Sequence, residues 1–222
     1  INARKGRREQ AFALLNMSGC NIGNFGLPFA QSFLGPVGVM AVSLFDVGNA
    51  FICLGGAFSI ASMVQEGNQK FAFGRLFKAL GKSVPLMTYI IMTILSALHL
   101  ALPKAVVEFA GILGNANAGM AMLMIGVGFH LSGKKEQFFS IAKILTIRYS
   151  LGICLALLSW FFLPLPLEYR QALVLVFLTP IASAAPAFTA EIKNDYGLSS
   201  AINSASIIIS IVLITGALLL IV

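Results

Sequence analysis

Long apolar stretches separated by short polar ones run through the whole chain. Seven of them approach the about 20 residues that a helix needs to cross a bilayer. They lie roughly at 11–34, 37–64, 84–103, 116–132, 141–163, 171–192 and 198–222. Residues 104–115, KAVVEFAGILGN, are too short to span and read as an interfacial helix or a re-entrant lead-in. The longest connection is 65–83. Its Phe71, Phe73, Leu76, Phe77 and Leu80 fall near helical spacing, with Lys70, Arg75, Lys78 and Lys82 between them. That pattern suits an amphipathic helix on an anionic leaflet.

Two of the seven stretches do not read as continuous helices. The first contains LLNMSGCNIGNFGLPFAQSFLGP, with Asn16, Asn21, Asn24, several glycines and Pro28 at membrane depth. The sixth contains LVFLTPIASAAPAFTAE, with Pro180 and Pro186 six residues apart. Proline removes a backbone donor and clashes with the preceding turn. Glycine and asparagine weaken a helix further. Both stretches are therefore predicted to be broken, which a bilayer tolerates only where protein or a water-filled cavity satisfies the freed backbone. Each break is followed by one continuous helix, and the second is preceded by three. A five-helix unit broken in its fourth helix and used twice would account for this. Because five is odd, the two units would be inverted. The chain would then hold the last two helices of one unit and all five of the next. Its opening on Ile1 suits a start three helices into a longer product, whereas a complete seven-helix chain with two unrelated kinks is the alternative.

Composition agrees with a membrane protein. Apolar residues make up 58% and charged residues 10%, against about 45–50% and about 25% in soluble domains. Mean hydropathy is +0.91. The net charge of +7 is consequently read through the placement of its bases rather than as a signal for nucleic acid, which is not expected as a partner. Arg4, Lys5, Arg7, Arg8, Lys70, Arg75, Lys78, Lys82, Lys134, Lys135, Lys143, Arg148 and Lys193 fall on one side of the predicted layout, and only Lys104 and Arg170 on the other. The positive-inside rule then puts residue 1 in the cytoplasm and Val222 outside. Trp160, Phe161, Phe162 and Tyr169 mark an outer aromatic belt. Cys20, Cys53 and Cys154 have neither disulfide-framework nor metal spacing and read as small buried hydrophobes.

The run NIGNFGLP at 21–28 resembles the crossover signature of the auxin efflux carrier family, whose bacterial members include malonate and other organic-acid permeases. The aromatic, Phe25, stands one place later than in many members. The LGPVG turn at 34–38, the proline-broken segment 179–196 ending in Tyr-Gly, and the Gly126-Val-Gly128 run are also similar. The resemblance covers essentially the whole chain. It implies an all-α polytopic membrane protein: seven transmembrane helices of a ten-helix (5+5) inverted repeat, with two crossed broken helices. Bile acid symporters and sodium–proton antiporters share that architecture. Residues 1–222 would form one transporter domain, with 1–64 ending the first repeat, 65–83 a cytoplasmic loop and 84–222 the second repeat. A homodimer is also implied. One departure is that only Ser183 supplies a polar side chain between Pro180 and Pro186, where an Asn or Gln would match Asn21.

At a helix break, free backbone N–H groups and the positive end of a half-helix dipole favour an anion without a full counter-charge. Asn21 would donate its side-chain amide to a carboxylate. Gly23 and Gly26 would let backbone approach the ligand, and Pro28 would enforce the break. Asn24, Ser183, Pro180 and Pro186 complete the candidate substrate set. For Asn21 the competing role is a helix–helix hydrogen bond, and Asn16 reads as a cap or packing residue. Asp46 lies mid-span with Asn49 one helical turn on, so the pair is the candidate for a coupling proton or, with broken-helix carbonyls, a sodium ion. Their alternative is a hydrogen-bonded lock between helices. His130 reads as interfacial, and Lys143 and Arg148 as snorkelling to headgroups, with an anion-attracting entrance as the sharper alternative.

The resulting expectation is a multi-pass protein of the cytoplasmic membrane that moves a small organic anion by alternating access, embedded in lipid and with proton or sodium coupling. A sodium-coupled symporter of bile-acid-transporter type, and a non-transporting subunit or truncated product, are the alternatives. No cofactor or metal is expected. No G-x-S-x-G, H-E-x-x-H or intramembrane aspartate pair is present, so no enzyme is expected.

Overall fold

A computed structural model describes residues 2–66, 84–127 and 138–221, with 74, 77, 78 and 81 between the first two segments. Most of 65–83 and residues 128–137, which carry the amphipathic pattern, Gly128, His130, Lys134 and Lys135, lie outside the described residues.

Ten α-helices occur among the described residues. They are α1 (Asn2–Met17), α2 (Leu27–Phe33), α3 (Pro36–Phe51), α4 (Ala57–Glu66), α5 (Val84–Ala97), α6 (Lys104–Val127), α7 (Phe138–Phe162), α8 (Leu167–Phe177), α9 (Ala185–Glu191) and α10 (Tyr196–Ile221). These are helical pieces rather than membrane spans. The helices α7 and α10 are long and apolar enough to cross a membrane by length and composition, which agrees with a membrane location. Each leaves much of its apolar length exposed: Leu151, Leu155 and Leu158 on α7, Ile208, Val212 and Leu219 on α10.

Both expected breaks are present. Helix α1 stops at Met17, four residues leave the helical path, and a one-turn π-helix (Ile22–Gly26) leads into α2. In that turn Gly26 N–H bonds Asn21 O (3.1 Å) and Leu27 N–H bonds Ile22 O, five residues back. Pro28 does not sit at the break. It lies in the first α-helical turn beyond it, where a missing N–H costs little. Helix α8 stops at Phe177, and α9 resumes at Ala185 with Pro186 in its first turn. Here Pro180 does stand within the non-helical stretch.

Three other boundaries differ from the sequence expectation. The polar opening is helical from Asn2, so α1 starts well before residue 11. The span expected at 37–64 divides into α3 and α4 around an irregular turn, Ile52–Gly56. The Gly55-Gly56 pair weakens the helix there, and a Cβ at Gly56 would stand 2.8 Å from Phe51 O. Residues 104–115 are not a separate piece but the first half of α6; no proline interrupts that stretch, and its glycines and asparagines only weaken a helix.

Packing places the two breaks at the centre. Helix α8 packs against α7 and α3, α1 against α4 and α9, and α9 against α10. The largest core cluster joins the two broken units: Ile22, Phe25 and Phe29 meet Leu175, Val176 and Leu178, and α10 adds Ile214. Phe25 and Phe29 stack at 4.8 Å between ring centroids. Helix α6 lies against α2 and the π turn, while α5 lies beside α3.

Candidate functional site

The two breaks meet. Residues 19–21 and 180–182 run antiparallel, with Cys20 opposite Ile181. Asn21 N–H donates to Pro180 O at 2.9 Å, and Ala182 N–H donates to Gly19 O at 3.2 Å. The approach depends on Gly19, because a Cβ there would stand 2.8 Å from Ala182 Cβ and 2.9 Å from Cys53 Sγ. Gly26 has a similar role farther along the chain, with room for a Cβ only at 3.1 Å from Thr179 Cγ2.

In a bridge of this kind the main-chain groups of the paired residues point away from each other, so Cys20 and Ile181 need partners elsewhere. Asn49 supplies both for Cys20. Cys20 N–H donates to Asn49 Oδ1 (3.1 Å), and Asn49 Nδ2 donates to Cys20 O (2.8 Å). Ile181 N–H donates to Ser206 Oγ at 3.2 Å. Each break is thus braced by a polar side chain of the continuous helix that follows it, α3 in one case and α10 in the other. A further carbonyl of the second break, that of Leu178, is also met. Ser210 Oγ donates to Leu178 O at 2.7 Å, while Tyr149 OH lies 2.6 Å from Ser206 O and 2.7 Å from Ser210 Oγ.

Arg148 corrects the sequence expectation, which places it near the cytoplasmic face, snorkelling or lining an entrance. It is instead the eleventh residue of the 25-residue α7, and its guanidinium reaches the crossing. Nη2 lies 3.3 Å from each of Gly19 O, Thr179 O and Cys20 Sγ. It therefore does not belong with the bases that the sequence expectation assigns to one side. Lys143, on the same helix, is exposed.

Two cavities adjoin the crossing. One, of about 270 Å³, is lined by Cys20, Asn21, Gly23, Asn24, Asp46, Asn49, Cys53, Tyr89 and Ser183 among others. The second, of about 330 Å³, is lined by Asn21, Asn24, Ser183, Pro186, Tyr196 and Asn203 among others. Asn21, Asn24 and Ser183 belong to both. Asn24 Nδ2 donates to Ser183 Oγ at 3.4 Å, on the boundary between them. The structure thus brings together Asn21, Gly23, Asn24, Asp46, Asn49 and Ser183 from the sequence-predicted set. Pro186 faces the second cavity only, and Gly26, Pro28 and Pro180 line neither. Gly26 and Pro28 are packing positions, and Pro180 contributes its carbonyl to the bridge.

No lysine or arginine among the described residues lines either cavity, and Asp46 is the one carboxylate in them. Asp46 Oδ1 accepts from Asn49 Nδ2 at 3.2 Å, and a Cβ on Gly23 would stand 3.9 Å from Asp46 Oδ2. An anion in the first cavity would meet uncharged donors: the Asn21 and Asn24 amides, the Ser183 hydroxyl and the main chain of residues 22–24. Asn16 lies away from the cavities, buried among Phe12 O, Thr189 and Ser199, and ties α1 to α9 and α10.

Sequence reasoning missed Arg148, Gly19, Tyr89 and the two cavity cysteines. For Arg148 a signal was available, since it falls inside the predicted span 141–163 and a charge at membrane depth is functional by default. For the others no one-dimensional signal separates them from neighbouring packing residues. Comparison of the chain with family models, with curated proteins and with solved structures returns no match.

Proposed function

We propose that this protein is a secondary transporter that moves a small organic anion, such as a carboxylate, across the cytoplasmic membrane by alternating access. The observation that carries the reading is the crossing of two broken helices with two small cavities beside it, Asn21, Asn24 and Ser183 being common to both. Broken helices at matching places in two repeats are how many transporters build a substrate site at the bilayer midplane. Residues common to two cavities are the groups a substrate would keep as access changes from one to the other. The matched braces from α3 and α10 support two related units, and hence a ten-helix inverted repeat of which this chain supplies seven membrane crossings. The resemblance of NIGNFGLP to auxin efflux carriers points the same way. The distribution of bases favours a cytoplasmic position for residue 1.

The substrate's carboxylate binds Asn21 and the N-terminal end of the half-helix at 22–33, with Asn24 and Ser183 as further donors. Asp46, across the same cavity, carries the coupling proton and is neutral when the anion is bound, because two unpaired negative charges in one small cavity repel strongly. In proteoliposomes, Asn21→Ala is expected to reduce radiolabelled carboxylate uptake at least about tenfold while leaving membrane insertion intact; one lost charge-assisted hydrogen bond is worth about 1.5–3 kcal/mol. Unchanged uptake by an inserted variant would remove Asn21 from the site.

A further inference from the structure

We propose that Arg148 is a tethered cation at the crossing: its guanidinium stands where the carbonyl ends of the two broken helices converge, the place a dissociable cation such as sodium would otherwise fill. For its consequence, sodium-independent transport, this rests on the transporter reading above; its test does not.

The geometry is nearly symmetric. Gly19 is two residues past the end of α1, and Thr179 is two past the end of α8. Nη2 of Arg148 stands 3.3 Å from both carbonyl oxygens. Each helix C-terminus carries roughly half a negative elementary charge, so two converging ends call for about one positive charge, which a single guanidinium supplies. In transporters with broken helices, such carbonyl ends coordinate the coupling cation. Here the hydrogen bonds of Arg148 go to two carbonyls and a sulfur, none of them a carboxylate. Its Nε is buried with no hydrogen-bond partner. At 3.3 Å the contacts are longer than the 2.7–2.9 Å of tight charge-assisted bonds, because one nitrogen is shared among three acceptors. Removing the charge would strand the Thr179 carbonyl, which the bilayer cannot solvate, and leave Gly19 O with Ala182 N–H. Arg148 lines neither cavity, so it acts through the main chain at the crossing and is a positioning residue for the substrate site.

Thermal unfolding of the full chain, purified in detergent, tests this in sodium chloride against choline chloride at equal ionic strength. Wild type is expected to unfold at the same temperature in both salts, as is Arg148→Lys. Arg148→Gln is expected to unfold roughly 5 °C or more lower in choline and to regain at least half of that shift in sodium, because a bound ion stabilises the state it binds. A glutamine variant as stable as wild type, or one that sodium does not restore, overturns the proposal. So does a lysine variant as unstable as the glutamine one, or a wild type that sodium stabilises. If the glutamine variant cannot be recovered, wild type and Arg148→Lys decide: insensitivity of both to sodium supports the proposal, and a response of either overturns it. Absence of organic-anion uptake by wild-type proteoliposomes would overturn the transporter reading and leave the unfolding result standing.

Discussion

The two breaks solve one problem with different chemistry. At the first, a single amide does the bracing: Asn49 accepts from the N–H of Cys20 and donates to its carbonyl. At the second, hydroxyls do it piecemeal. Ser206 accepts from Ile181 N–H, Tyr149 OH donates to Ser206 O, and Ser210 Oγ shares its one proton between Leu178 O and Tyr149 OH. An amide has a donor group and an acceptor on one rigid plane and so satisfies both groups of one residue. A hydroxyl carries a single proton to donate, so several are needed. The first break also carries an acid, Asp46, bonded to its brace, whereas the second break's cavity has Ser183, Asn203 and Tyr196 but no carboxylate. Stability at the first break is therefore concentrated in one residue and shared with the candidate site, and at the second it is spread over a network behind it.

The largest effect should come from separating the two breaks. Gly19→Val puts a branched side chain where even a Cβ stands 2.8 Å from Ala182. Overpacking commonly costs about 1–3 kcal/mol, and here it also opposes the bridge hydrogen bonds. Loss of most folded protein in detergent extracts is expected, whereas Ala182→Gly on the facing strand should be recovered at close to the wild-type level. Normal yield and unfolding temperature for Gly19→Val would show that the crossing does not need close approach.

The amide-versus-hydroxyl contrast gives the next effect. Asn49→Ala strands a donor and an acceptor in the interior, at about 1–3 kcal/mol each. Ser206→Ala strands one donor and should cost about 1–3 kcal/mol, for one group rather than two. Thermal unfolding should therefore rank Asn49→Ala well below Ser206→Ala. Equal shifts would mean that the first break is braced by more than Asn49.

The smallest effect on stability, but a distinct one on transport, is expected from Asp46→Asn. The side chain is isosteric and can still accept from Asn49. Its carboxylate is the one acid lining the two cavities, so uptake by the variant should lose the pH dependence that wild type shows. An identical pH profile would make Asp46 part of the brace and place proton coupling elsewhere.

Much of the frame was legible beforehand because it depends on local chemistry. Apolar length marked the helices, and Pro180 with its small-residue surroundings marked the second break. The first break was legible through Asn21 and the glycines around it, although Pro28 turned out to shape the helix after it. The α3–α4 discontinuity escaped because a glycine pair weakens a helix without a proline to fix that it breaks there. Asn49 was singled out as a partner of Asp46, but its bonds to Cys20 span 29 residues of sequence and nothing local implies them.

By itself, the order of residues determined that this chain is helical and apolar, and that its helices fail near Asn21 and Pro180. Proline and glycine act on the backbone within a turn of themselves, so their consequences can be read in one dimension. Packing alone brings the two failures together at Cys20 and Ile181, sets Asn49 and Ser206 as their braces, and turns Arg148 inward between two carbonyl ends. Those facts depend on which helix packs against which. A charge or an amide in an apolar helix shows that a partner is required inside the bilayer, and the packing decides which group that partner is.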